Sequence, residues 1–538
     1  MQAMFGASIM EFSGSLGVGA RVADTIRTKV VDTTLFAEEP GMLMLGMVCA
    51  VVASATYLTI ATRFGLPVST THSIMGGVIG MGVAAVGADG VQWVGSGSGT
   101  GKINGGVIQV FLAWIIAPGL AGAFGSIIFL ITKYGVMLRE NPVWRAFLFV
   151  PFYFALTAAL LVMLLLWKGG NYTINLTNAE IAGTIVGVGA GWGLLVAFFL
   201  MPWLYRVVIL DDWQLRWWHI PLGPLLLRRG EVPPRPEGYE GGIQDYYEGH
   251  LTMEELEARR AGASSVVSND LEAKGAVSSN AAVLTDSRPN STIHDAPAQR
   301  KKKSLVGEKP EGPIYQGDVL FWWFKFLLFR GVDQDVVNAQ SRRDGLTGDV
   351  EKIHAHAAHY DNKAEYMYSF LQVMTAATAS FTHGANDIAN AIGPYATIYQ
   401  IWSSGQLPVK NKAEVPTWIL AFGGVALVIG LWTYGYNIMR NLGNRITLHS
   451  PSRGFSMELG SAITVILATR LKLPVSTTQC ITGATVGVGL CSGTYKTINW
   501  RMVAWIYGGW IITLPVAGIL SGCLMGIIIN APRWGMST

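Results

Sequence analysis

Residues 61–82 read ATRFGLPVSTTHSIMGGVIGMG, and residues 468–489 read ATRLKLPVSTTQCITGATVGVG. The two stretches share Ala-Thr-Arg, Leu-Pro-Val-Ser-Thr-Thr, one isoleucine and three glycines in a single register 407 residues apart, more identity than chance supplies. The likeness runs on, because Trp114-Ile115-Ile116 with Pro118 is echoed by Trp510-Ile511-Ile512 with Pro515. The chain is therefore built on an internal duplication, and the nature of its solvent decides how that duplication folds.

Charge identifies the solvent. Only 14% of the 538 residues are charged while 51% are hydrophobic, against about 25% charged in an average soluble protein. Of the 39 Lys+Arg and 35 Asp+Glu residues, 43 lie in the 155 residues Asp211–Glu365, which leaves 31 for the other 383. Two charge-poor blocks around a charge-rich one make a polytopic membrane protein with a polar insert, and they exclude a secreted domain, a soluble enzyme and a fully disordered chain. The net charge of +4 is too small and too dispersed to indicate nucleic acid as a partner.

Apolar windows of about twenty residues fall at 4–24, 41–62, 66–87, 105–132, 145–167, 181–209, 366–395, 415–438, 455–470, 473–492 and 501–530, about eleven membrane segments in an all-α fold. The organisation is a first membrane half at 1–210, a central loop at 211–365 and a second half at 366–538. The windows opening at Pro67 and Pro474 are broken by proline and glycine, and lipid tolerates such breaks only where neighbours or a cavity satisfy the freed backbone. They are expected to be half-helices or re-entrant hairpins.

The insert's Ser-, Ala- and charge-rich middle, around 261–303, is expected to be disordered. Trp213, Trp217, Trp218 and Phe321-Trp322-Trp323-Phe324, at its ends, are expected to lie against the bilayer surface. Glycosylation sequons at Asn171 and Asn175 place that loop outside, and Arg206, Arg216, Arg228, Arg229 and Lys301-Lys302-Lys303 place the insert in the cytoplasm. One crossing separates them, so the two cues agree. Counting crossings puts the loop after the first repeat outside and the loop after the second inside. The repeats are inverted, the pattern that marks a secondary transporter with its substrate site at the repeat interface.

The repeated motif suits an oxyanion. Ser69, Thr70 and Thr71, like Ser476, Thr477 and Thr478, follow a proline able to start a helix, so hydroxyls and free backbone N–H groups gather at a positive helix end. Their lone pairs serve a sodium ion equally well. Capping or packing alone is the plainer use of such residues. A second motif, FTHGANDIANAIGP at 381–394, puts Asn386, Asp387 and Asn390 in an apolar segment, where an ionisable group is expected to be functional. The amides of Asn386 and Asn390 can donate to a phosphate oxygen; ionised Asp387 cannot, and is assigned to the coupling cation or to the P–OH proton. Gly384 and Gly393 are expected to let the helix unwind around it.

Gly384-Ala385-Asn386-Asp387-Ile388-Ala389-Asn390 with the doubled Pro-Val-Ser-Thr-Thr resembles the signature of the inorganic phosphate transporter (PiT) family. Pro67 to Ser73, Gly19-Ala20-Arg21-Val22 and Asp245-Tyr246-Tyr247-Glu248-Gly249 are most similar to its fungal sodium/phosphate symporters. The resemblance implies about twelve membrane segments in two inverted halves, in a chain often dimeric, that imports phosphate with sodium or protons across the plasma membrane, with the large loop cytoplasmic and no cofactor. It also implies that Glu11 and Glu458 match acidic residues required for transport. The family carries a Gly-Ala-Asn-Asp motif in each half, and the first-half copy should precede Met1 by about 20 residues. From eleven segments in place of twelve, the first helix is expected to be missing, with little transport by the chain as written. A non-transporting phosphate sensor and a carrier of another oxyanion are the competing readings.

An enzyme is not expected: His383 beside Asp387 is the one pair suggestive of a membrane phosphatase, and no metal or nucleotide motif accompanies it. His354, His356 and His359 read as a solvated helix face in preference to a metal site. Cys49, Cys480, Cys491 and Cys523 lack paired or ligand spacing and read as small buried hydrophobes.

Overall fold

The computed structural model describes residues 2–20, 30–95, 106–168, 176–236, 242–261, 306–329, 340, 347–407, 415–471, 473 and 475–531. The Asn171/Asn175 loop, Lys301–Lys303, Pro474 and the middle of the insert lie outside them. In order come α1 (Gln2–Val18), α2 (Pro40–Arg63), α3 (Thr70–Val86), α4 (Gly106–Thr132), α5 (Pro142–Lys168), α6 (Asn178–Leu195), α7 (Gly317–Phe329), α8 (Asn362–Ser404), α9 (Thr417–Tyr434), α10 (Pro451–Arg470), α11 (Thr477–Ser492) and α12 (Trp500–Asn530). Among the described residues the only β pairing is an isolated Val31–Val91 bridge. The protein is a polytopic all-α membrane protein.

Among the described residues six helices are long and apolar enough to cross a bilayer: α2, α4 with its π-helical extension to Met137, α5, α6 continued to Ile209, α9 and α12. The other five expected segments are α1, α3, α8, α10 and α11, each too short or not apolar enough by the same measure. They carry the polar motifs. This is the division a membrane imposes, because polar residues and interrupted helices are tolerated there only when wrapped in other helices.

The repeats exchange partners. Hairpin α2–α3 packs on α12, the last helix of the second repeat, while α10–α11 packs on α4, the last helix of the first. Glycines make the approach close enough: a Cβ on Gly76 or Gly80 would strike the backbone of Leu514 or Gly518, and one on Gly483 or Gly487 that of Pro118 or Gly122. Two of the three glycines shared by the sequence repeats are thus small residues at four-residue spacing, which let helix backbones touch where lipid offers no hydrophobic drive.

Helix α8 runs through the centre against α1, α2, α5, α9 and α10, and it reaches α3 and α11. It stays helical across Gly384 and Gly393, with Pro394 inside it, so the expected unwinding does not occur. Gly384 serves contact instead: a Cβ there would run into the backbone of Glu11, and one on Gly14 into the carbonyl of Phe381. The expected interruption at Pro67 is present, residues 64–69 forming a non-helical tip whose Gly65 takes φ +69°. Cys49 and Cys480 are buried and Cys491 is half-buried, but Cys523, on α12, is exposed, contrary to expectation.

The insert is fastened to the second half. Tyr247 donates its hydroxyl to the buried Glu365 (2.9 Å), which also accepts from the N–H and hydroxyl of Ser452 (2.8 Å each). Arg453, fully buried, donates to Ser492 Oγ (3.0 Å), Ser450 Oγ (3.2 Å) and the carbonyl of Ala358. The three-histidine face does not converge on a point: His354 meets His250 at 3.2 Å and the carbonyl of Asn444 at 2.6 Å, His356 binds the carbonyl of Lys352, and His359 stacks on Tyr247.

Burial, with His250, His449 and Arg453 nearby, holds His354 at about 4, whereas an unfolded histidine titrates near 6.5. Burial also lowers His250, His359 and His449. The attachment of the insert to the second half, a clasp made by Tyr247, Glu365, Ser452, Arg453 and His354, is therefore at full strength above about pH 6.5 and weakens as pH falls toward 4, His354 alone contributing up to about 3 kcal/mol. Hydrogen exchange of residues 245–261 should accelerate across that interval, and His354→Gln should flatten the dependence.

Candidate functional site

The site begins with two serine caps. Ser69 Oγ accepts from His72 N–H (3.3 Å) at the start of α3, and Ser476 Oγ from Gln479 N–H (3.4 Å) at the start of α11. Both are buried, so of the six repeated hydroxyls these two are used in starting helices. Each cap sets the next residues at the tip of its hairpin, and both tips abut the same stretch of α8.

From the first tip, Thr70 Oγ1 and Thr71 Oγ1 accept from Asn390 Nδ2 (2.9 and 3.1 Å). From the second, Thr477 Oγ1 donates to Asp387 Oδ2 (2.5 Å), and the carbonyl of Val475 accepts from Asn386 Nδ2 (3.1 Å). On α8 itself, Asp387 Oδ1 accepts from Asn386 (3.3 Å) and Asn390 (3.2 Å). Asp387 thus binds the second tip directly and the first through Asn390.

Helix α1 adds Glu11. His383, one turn before Asp387, places Nε2 2.8 Å from Asp387 Oδ2 and Nδ1 2.8 and 2.9 Å from the two oxygens of Glu11. An imidazole can donate to a carboxylate at each nitrogen only when doubly protonated. Glu11 and Asp387 are about 10% exposed but the His383 side chain is 42% exposed, and Thr70 is exposed too, so the cluster opens at these two residues. Buried Asn386 Oδ1 has no hydrogen-bond partner among the described residues.

Two expected site residues stand apart. Thr478 is half-buried and hydrogen-bonds to none of these side chains among the described residues. Glu458 on α10 accepts from Thr375 Oγ1 (2.6 Å), twelve residues before Asp387 on α8, or about 18 Å along the helix at 1.5 Å per residue. His383 was legible as a histidine four residues before an intramembrane aspartate, but its bridge to Glu11 was not. Nor was the anchoring of the first tip by Trp510, whose Nε1 donates to the carbonyl of Pro67 (3.0 Å) while its own carbonyl meets His72 Nδ1 (3.4 Å).

The phosphate transporter family profile PHO4 matches residues 1–521. The chain belongs to this family. Among its relatives, the phosphate-repressible phosphate permease pho-4 of Neurospora crassa is 72% identical over the whole chain and 92% of its own length. Sodium-dependent phosphate transporter 2 of Homo sapiens is 28% identical over 98% of this chain and 92% of its own. A solved structure titled the sodium-dependent phosphate transporter has the same fold, with a TM-score of 0.61 at 22% identity over 99% of this chain and 90% of that one. The family consists of phosphate transporters, so the enzyme reading is set aside.

The pairing of Glu458 gives a test of its separate place. Thr375→Val removes the hydroxyl but keeps the shape, and should lower stability by about 1–3 kcal/mol, read as thermal unfolding in detergent. Thr375→Ser should restore it.

Proposed function

We propose that this phosphate transporter is a symporter, coupled to sodium or protons, that imports inorganic phosphate across the plasma membrane. The observation that carries the proposal is the meeting of Thr70, Thr71 and Thr477, from both repeats, with Asn386, Asp387 and Asn390 on α8. In this reading Thr70, Thr71, Thr477 and the amides of Asn386 and Asn390 supply donors to a tetrahedral oxyanion, with Ser69 and Ser476 shaping the tips and Thr478 at the edge of the second. Hydroxyls that now accept can rotate to donate, so the same atoms serve before and after phosphate enters.

Asp387 supplies the charge that draws a cation. Its oxygens, the partnerless Asn386 Oδ1 and the threonine hydroxyls form a set of hard oxygen donors suited to sodium, and the names of the relatives point to the same ion. Glu11 adds a second carboxylate through His383. Glu458 is assigned to coupling at a distance, through Thr375 on α8. The chain divides into membrane halves 1–210 and 366–538 with a cytoplasmic loop at 211–365, and two copies form a homodimer in the bilayer, an assignment resting on the family resemblance. The positions of the basic clusters support the sidedness.

The charge of Asp387 gives the sharpest test. Asp387→Asn keeps shape and volume, so the protein should reach the membrane while sodium-driven phosphate uptake falls to background. Thr477→Val should weaken uptake in a graded way, by about 0.5–3 kcal/mol in apparent affinity. Undiminished sodium-dependent uptake by correctly folded Asp387→Asn would remove that residue from the mechanism.

A further inference from the structure

An open cleft of about 480 Å³ lies where the insert meets the start of α12, lined by Thr347–Asp349, Lys352, Ile353, His356, Tyr495, Lys496 and Ile498–Arg501. Its charge is one-sided. Lys352, Lys496 and Arg501 are exposed, and no described carboxylate lies within ion-pair distance of them. The one acidic residue in the lining, Asp349, is held by Arg260 at 2.6 Å and caps the turn Val350–Ala355. Three cations and an imidazole therefore face the same opening against a single lining carboxylate, that of Asp349, which Arg260 pairs.

Two further features define what would fill it. The positive end of α12, a 31-residue helix, opens into the cleft at Trp500 and Arg501. Tyr495 and Trp500, 66% and 47% exposed, stand at the rim beside the cations, the placement of aromatic residues at a membrane–water boundary. The opening is much larger than a single phosphate. It is also separate from the transport cluster, since Trp510, which anchors the first hairpin tip, is ten residues further along α12, about 15 Å.

We propose that this cleft binds a compact polyanion carrying several phosphomonoester groups, either a phosphoinositide headgroup presented by the bilayer or a soluble inositol polyphosphate. Lys352, Lys496 and Arg501 contact its phosphates, and Trp500 and Tyr495 flank its ring. Because α12 carries Trp510 to the tip at Pro67, an occupied cleft fixes the helix on which the first half of the transport cluster leans. Only the assignment of the cleft to the cytoplasmic side rests on the topology proposed above; the binding does not.

The full chain in nanodiscs of neutral lipid is titrated with inositol hexakisphosphate and with inorganic phosphate. In parallel, nanodiscs containing phosphatidylinositol bisphosphate are assayed for lipid retained after detergent extraction. Each set is compared with the triple variant Lys352→Gln/Lys496→Gln/Arg501→Gln and, as a charge control, with Arg139→Gln. Each cation contributes roughly fivefold to binding of an anionic headgroup, so the triple variant should lose about a hundredfold in affinity while Arg139→Gln loses little. Retained lipid without capture of the soluble probe identifies the bilayer as the source, and capture of the soluble probe identifies a free ligand. Either result supports the cleft provided the triple variant abolishes it and still folds, as judged by unchanged thermal unfolding. Binding of neither probe, or equal binding by the triple variant, overturns the proposal. A triple variant that fails to fold is replaced by the single Lys496→Gln and Arg501→Gln variants, each expected to lose roughly fivefold.

Discussion

A carboxylate in the middle of the central helix α8, wrapped by other helices, is the constraint on which the rest of the molecule depends. Asp387 is about 9% exposed, and a carboxylate so largely withdrawn from water is costly unless it is given partners. Its two oxygens are met by one hydroxyl, two amides and an imidazole. Those donors come from different parts of the chain, so satisfying one side chain requires the second hairpin tip and α8 to be brought together. Asn390 extends the requirement to the first tip, and His383 extends it to α1. The exchanged packing of the repeats, with each hairpin on the other repeat's last helix, holds the tips where this one group needs them.

Much of this was legible in the residues. The duplication, the all-α membrane class and the two motifs follow from identity, charge distribution and spacing, which are local and additive. The broken segment at Pro67 was also readable, because proline and glycine act on the backbone at the position they occupy. The reading failed where local chemistry and tertiary contact compete. Gly384 and Gly393 have the conformational freedom to unwind a helix, yet α8 remains helical and Gly384 is needed for the backbone contact with α1. Glu458 and Asp387 look alike as intramembrane acids, but Thr375 claims the first while Thr477 claims the second. Nothing in their spacing assigns those partners.

The insert shows the same limit from another side. Its composition marks it as polar, and that marks nothing about attachment. Tyr247 nevertheless reaches Glu365, 118 positions away, inside a buried network that includes Arg453 and Ser452. A loop so fastened is held against the start of α8, and it contributes part of the lining of the basic cleft at α12. The polar cluster around Asp387, the Tyr247–Glu365 network and the cleft are linked by helices α8 and α12.

The central claim is that one site is built from both repeats, and a double-mutant cycle tests it most directly. Sodium-dependent phosphate binding by the purified full chain is measured for the parent, Thr71→Val, Thr477→Val and the double variant. If the two hydroxyls serve one site through Asn390 and Asp387, the losses will not add, and the coupling should fall between about 0.5 and 3 kcal/mol. Losses that add to within about 0.3–0.5 kcal/mol would mean that the two tips act independently and would contradict the account.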